Sequence, residues 1–168
     1  MNNSNSDPIF KIVPYQPEFR DAFEGLNRAW LEAHSLLEPA DLPSLENPEL
    51  SILSKGGQVF FVIQDNKVIG TCAAICLSNT IFELAKLSVD PAFHGHGLGR
   101  RLCEAVINFA YQAGALKVVL SSNSVLTNAI NLYESLGFHH TPSPPNIQYK
   151  TANIFMTLKL TCIIHKNK

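Results

Sequence analysis

The stretch that decides the fold runs Val89-Asp90-Pro91-Ala92-Phe93-His94-Gly95-His96-Gly97-Leu98-Gly99-Arg100. An apolar run before it predicts a strand over 81–89, and an apolar stripe at helical spacing after it predicts a helix over 97–113. Three alternate glycines lie where the loop enters the helix. Glycine allows positive φ and lets a ligand approach the backbone, and the first turn of a helix offers unpaired N–H groups. The stretch therefore predicts a cradle for a phosphate group.

Two common nucleotide motifs do not fit these glycines. The dinucleotide pattern G-x-G-x-x-G, begun at Gly95, would need glycine at Arg100, and no Gly-Lys-Ser/Thr sequence of a P-loop is present. A glycine-rich turn that merely starts a helix is the alternative interpretation of this stretch.

The rest of the chain alternates between strand and helix patterns. Period-two or short apolar runs predict strands, and apolar stripes at helical spacing predict helices. The predicted strands are 9–13, 59–63, 68–77, 81–89, 116–120 and 154–160, with a further extended piece that begins at Phe138. The predicted helices are 17–35, 97–113 and 127–136. Residues 38–50 are expected to form a loop with one short helix near 44–54, and 141–147 a surface loop. This order predicts an α/β (α+β) fold whose central sheet is mixed, with helices on both faces.

Composition restricts the class of protein. The chain has 168 residues, a hydrophobic fraction of 46% and a formal net charge of −1, so it resembles one globular domain without a global basic field for nucleic acid. No apolar run is long enough for a membrane span. We expect residues 1–8 to be a disordered tail rather than a secretory signal, followed by one domain over 9–168. The four cysteines are scattered, which indicates a reducing, cytoplasmic location and no metal site.

Three segments resemble the GCN5-related N-acetyltransferase (GNAT) superfamily. Leu87-Ser88-Val89, then Asp90-Pro91, then residues 94–99 resemble its motif A, although His94 stands where Gln or Arg is usual. Residues 129–138 resemble its motif B, which ends Leu-Tyr-x-x-x-Gly-Phe, and residues 152–158 are similar to its last strand. The resemblance implies a GNAT-like, mostly antiparallel central sheet with helices on both faces.

The resemblance also implies acetyl-CoA as co-substrate. Backbone N–H groups of the glycine loop would bind its pyrophosphate, and the pantetheine arm would pair with the edge of the 81–89 strand. Many members have an asparagine where this chain has Leu126, and Asn123 or Asn128 could take its place. The implied cofactor-binding residues are Leu87, Ser88, Val89, His94, Gly95, His96, Gly97, Leu98, Gly99, Arg100 and Asn123.

Two residues are implied to be catalytic. Tyr133 matches the tyrosine that protonates the leaving thiolate, and Glu83 stands where the family often has a general base. If the strand is regular, Glu83 shares a face with Leu87 and Val89. A core aromatic and an exposed strand charge are the alternative interpretations of these two residues.

The predicted function is transfer of the acetyl group of acetyl-CoA to an amine of a small molecule or peptide, by direct attack in a ternary complex. The alternatives are a non-catalytic acyl-CoA-binding or regulatory module and a domain that binds another nucleotide. The acceptor should be selected by the first helix and the loops 36–55 and 141–150, where Trp30, His34 and Glu38 are candidate lining residues. No nucleic acid or membrane partner is expected, and an edge-paired homodimer is compatible with the sequence.

Overall fold

A computed structural model of the protein describes residues 9–160. The predicted tail over 1–8, together with Cys162 and His165, lies outside the described residues. Within 9–160, no helix combines the length and the apolar composition needed to cross a bilayer.

Residues 9–160 form seven strands and five α-helices. The strands are β1 (Lys11–Pro14), β2 (Gln58–Gln64), β3 (Lys67–Ser78), β4 (Ile81–Val89), β5 (Lys117–Ser122), β6 (His139–His140) and β7 (Ile154–Lys159). The α-helices are α1 (Arg20–Ala33), α2 (Leu42–Glu46), α3 (Pro48–Ser51), α4 (Leu98–Gln112) and α5 (Thr127–Ser135). Short 3-10 turns cover Pro17–Phe19, Pro39–Asp41, Leu53–Lys55 and Pro91–Phe93.

The strands form one sheet in the order β1-β2-β3-β4-β5-β7-β6. Among the described strands, only β4 and β5 run parallel, and every other neighbouring pair is antiparallel. Apolar side chains form two clusters, one around Phe23 and Phe61 on the α1 side and a larger one with α4 and Tyr133. The prediction of a mixed, mostly antiparallel sheet with helices on both faces is confirmed.

The prediction of one short helix near 44–54 is wrong. The chain makes two helices there, because Pro48 has no N–H to continue α2 and α3 instead begins at that residue. Asn47 caps the new helix, since its side chain accepts a hydrogen bond from the Leu50 N–H at 3.2 Å.

Strand β4 separates from β5 after three residue pairs. The parallel register runs from Ile81↔Lys117 to Glu83↔Val119, and β4 then continues to Val89 with no partner on that side among the described residues. A bulge lies in the unpaired half: the register with β3 shifts between Thr71 and Ala73, and Lys86 has φ +55°. A wedge therefore opens between the ends of the two parallel strands.

Candidate active site

A cavity of about 540 Å³, here called the wedge cavity, fills this wedge. Its walls include the unpaired half of β4, the glycine loop, the end of β5 and the inner side of α5. One end reaches the start of α4 and the other reaches α1 and the segment around Tyr149. Every implied site residue lines it except His96.

The glycine loop presents free backbone donors at the first end. No hydrogen bond within the described chain uses the N–H groups of residues 95–100. Gly95 and Gly97 have φ of +83° and +69°, a conformation that glycine adopts without strain, and α4 begins directly after Gly97. A row of free N–H groups at the positive end of a helix dipole is suited to bind an anion such as a phosphate.

The histidines of the loop have backbone partners. The Nε2 atom of His94 lies 3.0 Å from the Val89 carbonyl, which ties the loop to the end of β4. His96 lies outside the cavity, because its Nδ1 is held by the Phe93 and His94 carbonyls and its ring contacts Phe10. The arrangement therefore assigns the Nδ1 atom of His96 to the loop's own structure, and its backbone N–H remains available to a ligand.

Two polar residues at this end are partly engaged. Arg100 donates to the Ser135 hydroxyl at 2.6 Å, which holds the guanidinium near the mouth of the cavity. The Asn123 amide donates to the Thr151 carbonyl at 2.6 Å and accepts from the Val125 N–H at 3.0 Å, so it connects two loops. Asn128 also lines the cavity, is exposed, and makes no side-chain hydrogen bond to a described residue.

Tyr133 projects from α5 into the wedge while its ring packs in the core. It is 7% exposed and makes an edge contact with Phe138 at 6.0 Å between centroids. Burial raises the pKa of its hydroxyl well above the usual value, and the nearby Cys103 and Cys72 thiols act in the same direction. The phenol therefore holds its proton at neutral pH, and no described residue is hydrogen-bonded to it.

Glu83 lines the cavity on the α1 side of the sheet. A shared face with Leu87 and Val89 is predicted only for a regular strand, and this strand is not regular. The bulge at Lys86 reverses the alternation of side chains, so Glu83 lies on the opposite face from these two residues. Leu87 and Val89 pack against the α4 cluster, whereas Ser88 donates from its hydroxyl to the Leu26 carbonyl in α1 at 3.0 Å. The Glu83 side chain is buried, and burial raises the pKa of its carboxyl, which the charge of Lys86 partly counteracts.

A buried ion pair lies beside Glu83. The Lys86 ammonium bonds the Asp41 carboxylate, and the two side chains are 6% and 4% exposed. The ammonium also lies 3.5 Å from the Tyr149 hydroxyl and 5.0 Å from the centre of its ring. The other Asp41 oxygen accepts from the Glu38 N–H at 2.9 Å. The pair fixes the 38–41 turn to the bulge of β4.

Glu38 connects that turn to the segment before β7. Its carboxylate accepts from the Lys150 N–H at 2.9 Å, from the Thr151 N–H at 3.1 Å and from the Thr151 hydroxyl at 2.7 Å. Burial would raise the pKa of this carboxyl, but the hydrogen bonds from Thr151 and Lys150 outweigh it and lower the pKa. These bonds close the acceptor end of the cavity, which we define by Asn27, Trp30, Leu31, Leu36, Glu38, Asp41, Glu83, Lys86, Tyr149 and Thr151.

Trp30 and His34 differ in position. Trp30 is half-buried on the wall of the wedge cavity, and its ring packs on His34 at 4.5 Å between centroids. His34 lines a second cavity between α1 and the start of α5 instead, and its Nδ1 lies 2.8 Å from the Trp30 carbonyl.

Sequence reasoning missed Asn27, Asp41, Lys86 and Tyr149. The sequence did contain a signal for the bulge. The apolar residues Phe82 and Leu84 stand at even-numbered positions, and the next ones, Leu87 and Val89, stand at odd-numbered positions. Such a change predicts an extra residue in the strand. Nothing local marked Asp41 or Tyr149, which reach Lys86 across 45 and 63 positions of sequence.

Comparison with known proteins gives a family. A profile of the acetyltransferase (GNAT) domain matches residues 55–140. Human N-acetyltransferase 8B is 36% identical over 97 residues, which cover 54% of this chain and 43% of that protein. Human N-acetylaspartate synthetase is 36% identical over 116 residues, which cover 67% of this chain and 36% of that protein. The matches thus span less than half of these relatives' length.

Solved structures share the fold. An acetyltransferase of the GNAT family from Staphylococcus aureus Mu50 superposes with a TM-score of 0.81 at 22% identity, covering 90% of this chain and 99% of the other. A putative acetyltransferase from Salmonella typhimurium, solved with its cofactor acetyl-CoA, gives a TM-score of 0.74 at 21% identity, covering 90% and 94%. With the profile match over half of its length and the same sheet architecture, the chain belongs to the GNAT acetyltransferase family.

Proposed function

We propose that this protein is an acetyl-CoA-dependent N-acetyltransferase that acetylates an amine of a small molecule or peptide by direct attack in a ternary complex. The observation that carries the proposal is the wedge between β4 and β5. A row of free N–H groups lies at one end of it, and a buried carboxyl and a protonated phenol lie on its walls.

The residues of the wedge fit acetyl-CoA. The free N–H groups of residues 95–100 would hold the pyrophosphate, with Arg100 at the mouth of the cavity. The unpaired backbone of Leu87, Ser88 and Val89 would pair with the amide groups of the pantetheine arm, as an added strand does. When bound, acetyl-CoA supplies an acetyl group already activated as a thioester.

Glu83 and Tyr133 account for the protons of the reaction. An ammonium cannot attack a carbonyl, so Glu83 accepts a proton from the amine, and its raised pKa brings it closer to the working pH. The amine nitrogen then forms the C–N bond while the C–S bond breaks. Tyr133 donates its proton to the leaving sulfur and is reprotonated by the second proton that the nitrogen must lose on becoming an amide, while the proton that Glu83 holds passes to solvent.

The first experiment is thermal unfolding with and without acetyl-CoA, with free CoA and ATP as controls. At a hundredfold excess over Kd, binding adds about 2.7 kcal/mol to the free energy of unfolding. For a chain of this size the midpoint should rise by roughly 5–10 °C. A rise with both CoA species but not with ATP supports the site. An equal rise with ATP would contradict it.

Turnover separates an enzyme from a binding module. With acetyl-CoA present, formation of N-acetyl product from a panel of amines would be followed by mass spectrometry. Product formation that depends on Tyr133 supports the proposal. Cofactor binding without product from any amine would favour the non-catalytic acyl-CoA-binding module instead.

The names of the relatives do not select the acceptor. The family match over residues 55–140 omits α1, the 38–41 turn and Tyr149, which line the acceptor end of the cavity. An aspartate acceptor, which the name of one relative states, is therefore one case for testing rather than a conclusion for this chain.

A further inference from the structure

The groups at the acceptor end differ in charge and in hydrogen-bonding capacity, and together they select a class of acceptor. We propose that the acceptor is a protonated primary amine on an apolar body that carries no carboxylate. This inference rests on the proposed function and makes it more specific.

Asn27 offers an unused acceptor atom. It is 2% exposed, and its Nδ2 donates to the Phe23 carbonyl at 2.9 Å. That bond determines the orientation of the amide, because a carbonyl can only accept and so the side-chain nitrogen must face it. The Oδ1 atom then has no partner among the described residues, on a side chain that lines the cavity. Among the described residues, Thr71 Oγ1 is the one fully buried side-chain polar atom without a partner, so the Asn27 oxygen is accessible from the cavity, where a ligand that donates, such as an ammonium group, can bond to it.

The only cation lining the acceptor end is already neutralised. Lys86 is the one Lys or Arg among the described residues that line this end, and its ammonium bonds Asp41 and contacts Tyr149. Its side chain is 6% exposed, so a ligand carboxylate would have to displace Asp41 to reach it. Arg100, the other Lys or Arg on the wall of the cavity among the described residues, lies at the end assigned to the pyrophosphate.

Carboxylates are in excess at the same end. Glu38, Asp41 and Glu83 all line it, against the single charge of Lys86. These charges also act on Tyr149. Burial is the largest cause that raises the pKa of its hydroxyl, and the negative charges of these three groups raise it further. A carboxylate on the acceptor would be repelled by this excess, whereas an ammonium would be attracted.

The remaining wall is apolar. Trp30, Leu31 and Leu36 line it together with Tyr149, which is half-buried. These side chains can cover an aliphatic or aromatic body of the acceptor. Their hydrogen-bond donors, the Trp30 indole N–H and the Tyr149 hydroxyl, are neutral, so this wall carries no positive charge for an anionic group. The amine would therefore lie between Asn27 and Glu83, and the body would lie against Trp30.

The test compares acceptors that differ only in the carboxylate. The wild-type protein, saturated with acetyl-CoA, is assayed separately with 2-phenylethylamine and with L-phenylalanine. L-Aspartate and ethylamine are assayed in the same way as further acceptors, and N-acetyl product is measured by mass spectrometry. We expect kcat/KM for 2-phenylethylamine to exceed that for L-phenylalanine by about a hundredfold. The reason is that the carboxylate of L-phenylalanine would lie near carboxylates of the same charge in the cavity, which costs binding free energy. The amine of 2-phenylethylamine is the more basic of the two, so a smaller fraction is free base and basicity cannot produce this preference. Ethylamine should be poorer because it lacks the body.

A variant tests the role of Asn27 separately. Asn27→Leu keeps the size of the side chain and removes its acceptor oxygen. We expect KM for 2-phenylethylamine to rise about tenfold, since a hydrogen bond to a charged group is lost. The shift in unfolding midpoint on adding acetyl-CoA should stay as in the wild type, which shows that the variant is folded and that the cofactor end is intact.

The outcomes are distinguishable. A higher kcat/KM for L-phenylalanine or L-aspartate than for 2-phenylethylamine overturns this inference and leaves the proposed function in place. An unchanged KM in folded Asn27→Leu overturns the assignment of the ammonium to Asn27. No product from any amine, with acetyl-CoA still bound, overturns the proposed function and this inference with it.

Discussion

The Asp41–Lys86 pair gives the sharpest prediction of stability. Both side chains are almost fully buried, and each is the other's charge partner at the bulge of β4. Removing one partner leaves a buried, uncompensated charge, which costs about 3–5 kcal/mol. Lys86→Met keeps the aliphatic stem and leaves Asp41 unpaired, and Asp41→Asn leaves the ammonium unpaired. For a chain of this size the midpoint of thermal unfolding should fall by roughly 6–20 °C in either variant.

The double variant shows whether the loss belongs to the pair. With both charges removed, neither partner is left ionised in the core, and neutral replacements of a buried ion pair are often tolerated. We therefore expect the double variant to be more stable than either single variant. The free energy of unfolding would be measured by urea titration for the wild type and all three variants.

A matched control is available on the surface. Arg28 and Glu24 form an i,i+4 pair at 2.7 Å with side chains 32% and 34% exposed. Because water screens such a pair, Arg28→Met should cost about 1 kcal/mol or less. If the losses of Lys86→Met and Asp41→Asn simply add in the double variant, to within about 0.5 kcal/mol, the two residues are independent and the reasoning is refuted.

Three further predictions concern the site. Glu83→Gln should lower the acetylation rate about a hundredfold, yet the midpoint of thermal unfolding at pH 8 should be equal or higher. Burial raises the pKa of this carboxyl in the folded state, so its ionised form opposes folding. The wild type therefore gains stability from this group only as the pH falls through that folded-state pKa. A clear drop in the midpoint would contradict this. Tyr133→Phe should lower kcat about a hundredfold with little change in acetyl-CoA affinity, and an unchanged kcat would remove the residue from the mechanism. Gly97→Ala, at φ +69°, should lower the free energy of unfolding, measured by urea titration, by about 1 kcal/mol. The control Gly99→Ala should lower it less, because the added Cβ would meet only Leu132 at 3.4 Å. Equal losses in the two variants would exclude a role for backbone strain.

Local patterns in the sequence were sufficient for the part of the fold that would hold the cofactor. The β4 strand, the glycine loop and α4 follow one another directly, so apolar spacing and glycine positions determine their order and type. The break at Pro48 was also visible in the sequence, because a proline has no N–H for a continuing helix. Such features depend only on neighbours along the chain.

The acceptor end depends on contacts that no local pattern specifies. Asp41 reaches Lys86 across 45 positions, and Glu38 reaches Thr151 across 113. A carboxylate in a loop is usually solvated, and only the folded chain shows which one is buried against a cation. The sequence could therefore indicate that the first helix and the late loop would line one cavity, but not the charges that meet there.

The bulge at Lys86 explains why both ends of the cavity can be built from one strand. In a regular strand, Lys86 and Ser88 would share a face with Phe82 and Leu84, so an ammonium and a hydroxyl would enter the apolar cluster under α4. The extra residue restores Leu87 and Val89 to that cluster and keeps Ser88 against α1. It does so at a non-glycine residue in a left-handed conformation, which the buried bonds of Lys86 to Asp41 and Tyr149 hold in place. Loss of the ion pair should therefore disturb the backbone of β4 where the cofactor is proposed to pair, as well as the acceptor end of the cavity.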